Sequence, residues 1–186
     1  MAEEVVIDRS STSPAQEHQG KECTAGRFLT AEEGKKILEI AETWVGTPYS
    51  AIGARSEKGI KGDCSGTTNK IYTEAGHPYP YQRTADFIAF AETTNRFREI
   101  DLSRNTLQAG DVLWWPGHMA IYAPFPDNHP RSDTRVSKGG KRKLNNMYTA
   151  FNERTGVPYG PYNIETFRPD KYRAFRYFLR PGDAKC

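Results

Sequence analysis

Cysteine has a strongly nucleophilic side chain whose reference pKa, about 8.5, lies within reach of neutral pH. The 186-residue chain has three, Cys23, Cys64 and Cys186. Cys64 lies in Gly62-Asp-Cys-Ser-Gly66, where a glycine-containing loop runs into a helical pattern. Orphan amides and the dipole at a helix start favour a thiolate there. Gly66 is expected to leave room for a substrate. A thiol nucleophile also needs a base. His118 opens the run His118-Met-Ala-Ile-Tyr122, a strand pattern and so a rigid mount. Cysteine and histidine on separate elements are the minimal arrangement for acyl transfer through sulfur. Each residue also has a plainer reading, Cys64 as a small buried hydrophobe and His118 as a structural imidazole. Spacing alone leaves both open.

The elements that must position this pair are readable in outline. Thr30 and Glu33 form a capping box for a helix from about Ala31 to Val45. Its apolar stripe is Ile37, Leu38, Ala41, Trp44 and Val45, and Gly46 and Pro48 end it. Residues 49–63 read as a loop. A second helical run, Thr67 to Ala75, places Cys64 in its first turn, and a third spans about Gln82 to Thr94. Val112-Leu-Trp-Trp115 and His118 to Tyr122 flank Pro116-Gly117 and predict an antiparallel hairpin. Of Trp114 and Trp115, one should face the core and the other the opposite side. Leu144 to Phe151 and Tyr172 to Leu179 read as later strands. The aromatic, proline-rich stretch from Gly156 to Asn163 reads as a groove wall or a packed surface loop. Helices followed by an antiparallel sheet make the class α+β. Residues 1–25 read as a tail in which Val5-Val6-Ile7 could add an edge strand. Residues 26–186 read as one domain, with a basic insertion at about 127–143.

Composition narrows the function. Lys plus Arg is 26 and Asp plus Glu is 23, a net charge of +3, too small a surplus for a nucleic-acid binder. Three cysteines without a CxxC pair build neither a disulfide framework nor a structural zinc site. His18, His77, His118 and His129 lack ligand-like spacing, so neither metal nor cofactor is expected. No apolar run has the length of a membrane span. No leader pattern of charged start, apolar stretch and small-residue cleavage site is visible.

Four segments, taken in order, resemble one family. They are Gly46-Thr-Pro-Tyr49, Gly62-Asp-Cys-Ser-Gly66, Leu107-Gln-Ala-Gly-Asp-Val-Leu113 and His118-Met-Ala-Ile-Tyr122. Their order and spacing over about residues 31–123 resemble the NlpC/P60 family of papain-like cysteine peptidases. The resemblance implies a papain-like fold with N-terminal helices packed on a central antiparallel sheet. It implies hydrolysis of peptide amide bonds in bacterial peptidoglycan stems, without a metal. It makes Cys64 the nucleophile and His118 the base, and gives Tyr49, Asp63 and Ser65 places near the substrate. The plainer reading of Asp63 is a solvent-facing N-cap.

The third catalytic residue departs from the family pattern. Met147-Tyr-Thr-Ala150 fits the family's segment, with Thr149 where His, Asn, Gln or Glu is usual. Thr149 is the first choice, followed by His129 and Asn128, which lie shortly after the His118 strand. By the resemblance, the expected setting is outside the cytoplasm, in the bacterial periplasm or cell wall. The expected role is a secreted antibacterial toxin, such as a type VI secretion effector, with a cognate inhibitor as partner. The absent leader then implies a dedicated secretion machine. The alternatives are a housekeeping wall-remodelling endopeptidase and a non-hydrolytic binding or acyl-transferring relative. Cys23 and Cys186 lie near opposite ends, where a disulfide between them and two separate thiols are both open readings.

Overall fold

The computed structural model describes residues 25–132, 144–150, 157–183 and 186. The described residues fall into two compact units, one within 28–178 and a smaller one that includes 25–27 and 179–183. Within the smaller unit, the Arg180 amide donates to the Asp183 carboxylate at 2.7 Å, closing a turn through Gly182 at φ +92°. Val5-Val6-Ile7, Cys23 and most of the basic insertion, residues 133–143, lie outside the described residues.

Helix α1 spans Ala31–Thr43 and starts with the expected reciprocal cap. Thr30 Oγ1 accepts from the Glu33 amide at 3.2 Å, and Glu33 Oε1 accepts from the Thr30 amide at 2.9 Å. It stops two residues short of Val45, before Gly46 turns the chain at φ +92°. Helix α2 spans Cys64–Glu74 and starts three residues before Thr67, because the Asp63 side chain caps the Gly66 amide. Helix α3 spans Thr84–Thr94 and ends on Asn95 in the left-handed region at φ +57°. A short fourth helix, α4, covers Ile164–Phe167 behind an Asn163 cap.

Seven short strands complete an α+β architecture. They are β1 (Arg27–Phe28), β2 (Phe97–Glu99), β3 (Val112–Trp115), β4 (His118–Tyr122), β5 (Met147–Thr149), β6 (Gly160–Tyr162) and β7 (Arg173–Leu179). They form one antiparallel sheet in the order β1-β7-β3-β4-β5-β6, with β2 also paired to β7. The hairpin has the expected bounds, with Trp115 opposite His118 and Val112 opposite Ile121. The β5 strand is shorter than expected, and the stretch read as a groove wall or surface loop supplies β6. Three-residue strands such as β2 and β6 carry too few alternations to stand out in a sequence.

Pleating sorts the side chains onto two faces. Phe175 and Tyr177 of β7 lie on the face covered by α2 and α3, in an aromatic cluster with Tyr72, Phe87 and Phe97. Leu113, Trp115, Ala120, Met147 and Ala174 pack on the other face with Ile100 and Ile164. The two tryptophans divide as expected. Trp115 is fully buried, while half-buried Trp114 points to the helical face, where its Nε1 donates to the Thr84 carbonyl at 2.9 Å. The Leu107-to-Leu113 motif has a structural role. Asp111 is buried against the Arg176 guanidinium in a two-pronged pair at 2.8 Å, and Tyr72 donates to the Gly110 carbonyl.

Candidate functional site

Cys64 is the first residue of α2 and is 8% exposed. The preceding loop fixes that position. Asp63 receives the Gly66 amide on Oδ1 at 2.8 Å and the Gly53 amide on Oδ2 at 2.7 Å. It is therefore a buried cap tying the helix start to the loop at Gly53, not the solvent-facing cap of the plainer reading. Gly66 does not open space for a substrate. A Cβ there would come within 2.0 Å of the Gly53 carbonyl oxygen and 2.2 Å of Ser56 Oγ. Its missing side chain is what lets the loop close onto the helix.

Polar groups converge on the sulfur from three elements. Thr84 Oγ1, at the start of α3, lies 3.8 Å from Cys64 Sγ. The backbone amides of Met119 and Ser65 also point to it. Burial nevertheless pushes the thiol above its ordinary value, and the nearby Asp63 charge adds to that. The hydrogen bonds from Met119, Thr84 and Ser65 pull the other way without prevailing. The helix start was expected to lower this pKa. Desolvation of a nearly enclosed sulfur outweighs the amides, so the resting group is a thiol.

His118 opens β4, one residue before the amide that faces Cys64. It is 6% exposed, and burial drives its imidazole down to about 3, with the Arg168 charge adding to the shift. The resting base is therefore neutral. Its Nε2 lies 2.7 Å from Thr149 Oγ1, and that hydroxyl lies 2.8 Å from the Met119 carbonyl. A hydroxyl has one proton and a carbonyl can only accept. If the Thr149 proton goes to Met119, its oxygen accepts from His118 Nε2–H. That assignment places the imidazole lone pair on Nδ1, where a proton can be received.

The structure thus brings Thr149 to His118 and places the other two candidates elsewhere. His129 Nδ1 accepts from the Arg131 amide at 3.0 Å, and its ring packs on Phe125 at 4.8 Å. Asn128 is exposed on the same turn. Tyr49 forms a backbone bridge to Gly62, two residues before Cys64. Ser65 Oγ lies 3.0 Å from the Tyr81 hydroxyl and 3.4 Å from Asp63 Oδ1. Asp63, Ser65 and Tyr81 therefore form one polar group beside the nucleophile.

Thr84 and Tyr81 were missed in the sequence. Thr84 had a signal, since a threonine at a helix start brings a hydroxyl to the same level as orphan amides. Tyr81 had none, because only the chain's return past α2 brings it to Ser65. Among the described residues, no group of three His, Cys, Asp or Glu side chains could hold a metal ion. Among them too, no helix is long and apolar enough to cross a membrane. No family model and no curated protein matches the chain.

Proposed function

We propose that the protein is a cysteine amidase of the NlpC/P60 type, with a papain-like arrangement of its α+β fold, acting on peptidoglycan stem peptides. The observation that carries this reading is the chain His118 Nε2, Thr149 Oγ1, Met119 carbonyl. With the Thr149 proton directed to Met119, this chain leaves the imidazole lone pair on Nδ1, while the amide of the same Met119 faces the Cys64 sulfur. In the proposed reaction, His118 takes the Cys64 proton as sulfur attacks the amide carbonyl carbon. The protonated imidazole then gives that proton to the leaving amine as the C–N bond breaks. Water, deprotonated by His118, attacks the thioester, releasing the carboxylic acid and restoring the thiol. Two neutral buried groups suit this order, because charge separates only at the moment of attack.

Digestion of purified sacculi tests the class and the bond together. Mass spectrometry should find new stem-peptide ends on intact glycan strands, and cleaved glycan with unchanged stems would sink the reading. The proposed role is that of an antibacterial toxin held in check by a cognate inhibitor. Directed to the periplasm, the protein should lyse bacteria, and a Cys64→Ala form should not. A second reading, in which Cys64 is only a buried structural thiol, draws on its low exposure. Under that reading Cys64→Ala would lower the melting temperature while leaving any activity in place.

A further inference from the structure

His118 is held at its tip by a threonine, a weak orienter. One neutral hydrogen bond fixes where Nε2 lies and leaves the ring free to tilt about it. A second feature meets the ring, and it comes from the segment after β6 that sequence patterns did not mark as an element. Phe167, the last residue of α4, packs on the imidazole with ring centroids 4.5 Å apart and planes 38° apart. Trp115, opposite His118 on β3, lies 6.0 Å from the imidazole and 5.2 Å from Phe167. The three rings therefore form one packed group at the His118 end of the hairpin.

The segment carrying Phe167 is fastened at both ends. Before it, Asn163 caps α4 by accepting from the Thr166 amide, and the Ile164 amide donates to Asn146 Oδ1 at 2.8 Å. After it, Arg168 Nη1 donates to the Pro116 carbonyl at 2.8 Å, in the turn between β3 and β4. The same guanidinium grips Asp170 through Nε and Nη2 at 2.8 and 2.7 Å, and Trp115 Nε1 donates to the Asp170 carbonyl at 3.2 Å. The chain from Phe167 to Asp170 is thus tied across the end of the hairpin, over the residue read as the base.

We propose that Phe167–Asp170 is a strap that orients the His118 ring, with Phe167 and Arg168 as positioning residues for proton transfer. Phe167 sets the tilt of the ring and keeps water from its face, and Arg168 holds Phe167 down by gripping the hairpin turn. The strap rests on the reading of His118 as the base but not on the identity of the substrate. The charged group acting on this ring is Arg168, which is paired with Asp170. The neighbours from β5 and β3, Thr149 and Trp115, do not titrate near neutrality.

The test compares Phe167→Leu, Phe167→Ala and Arg168→Gln with the parent protein. Two readouts need no substrate: the NMR titration of the His118 ring, and the rate of Cys64 alkylation by iodoacetamide at pH 7. A third is the split between kcat and KM on stem-peptide fragments. Removing the ring should wet the imidazole, so Phe167→Ala should raise the His118 midpoint by at least about one unit. Alkylation and kcat should fall about tenfold or more, with KM within about twofold. Phe167→Leu keeps most of the volume and should fall between, and Arg168→Gln should resemble it. If Phe167→Ala does not fold, the Leu and Gln forms decide the matter by the same readouts. An unchanged His118 titration and alkylation rate in all folded variants would overturn the strap. Inactive parent protein on every stem fragment, with the NMR and alkylation shifts present, would overturn the proposed substrate and leave the strap standing.

Discussion

Cys64 and His118 are held by two differently built regions. The backbone that sets Cys64 is local, while Thr84 and Met119 reach its sulfur from other elements. Its cap, its loop contact and the glycine that allows that contact all come from residues 53–66. The His118 side is assembled at long range. Thr149, Phe167 and Arg168 come to the imidazole from two later segments of the chain, and Trp115 from across the hairpin turn. A locally built region concentrates its tolerances in a few backbone contacts, so small changes there should act on folding. A region assembled from distant pieces should lose geometry before it loses stability.

The largest effect should come from Cys64→Ala. Turnover of sacculi should fall by at least about a thousandfold, while the melting temperature moves by only a few degrees. Thr149→Val comes next. It keeps the shape of the side chain and removes the hydroxyl, so His118 loses the partner that selects its tautomer. We expect kcat to drop about a hundredfold, within the usual range for general-base effects, and Thr149→Ser to recover most of it. A Val form as active as the parent, with the loss confined to Ser, would show that volume, not the hydroxyl, matters there.

Gly66→Ala probes the local side, with the opposite signature. The added methyl would overlap the Gly53 carbonyl and Ser56 Oγ. The expected cost is about 1–3 kcal/mol of stability, read by denaturant unfolding. A neutral result would mean that the loop yields easily and that the two regions are less different than described.

Two pH measurements sharpen the comparison further. Burial raises the Cys64 thiol, so alkylation should keep accelerating through pH 9 instead of reaching a plateau below neutrality, as a preformed ion pair would. The second measurement reads stability. His118 takes a proton near pH 6.5 when unfolded but only near pH 3 when folded. Its contribution is therefore present above about pH 6.5 and lost as the pH falls toward 3. Subtracting the melting curves of a His118→Asn form isolates this term, which should appear as a steeper acid decline in the parent protein.

The same division explains what could be read in the sequence. The Cys64 side was legible because its capping aspartate, glycines and thiol stand together. The hairpin was legible because Pro116-Gly117 separates two clear apolar runs. Thr149 could be chosen by its place in a short pattern, but nothing in the sequence measured its approach to His118. Phe167 and Arg168 were invisible as neighbours of the base, since a four-residue helix has no detectable period. The helix-start argument also misjudged the thiol, because position along a helix can be read from sequence and depth of burial cannot.

The described residues on the two sides of 133–143 are hydrogen-bonded to each other. The Asn145 amide donates to the Ser132 carbonyl at 2.8 Å, and its side-chain amide donates to the Arg131 carbonyl at 2.9 Å. Arg131 is paired with Glu42 of α1 at 2.9 Å, and Glu42 also receives the hydroxyl of Tyr148, the neighbour of Thr149. The two strands on either side are therefore already spliced before the intervening residues begin. The joint fixes where the chain leaves β4 and where it re-enters at β5, and so acts as a hem that keeps the β4–β5 pairing in register.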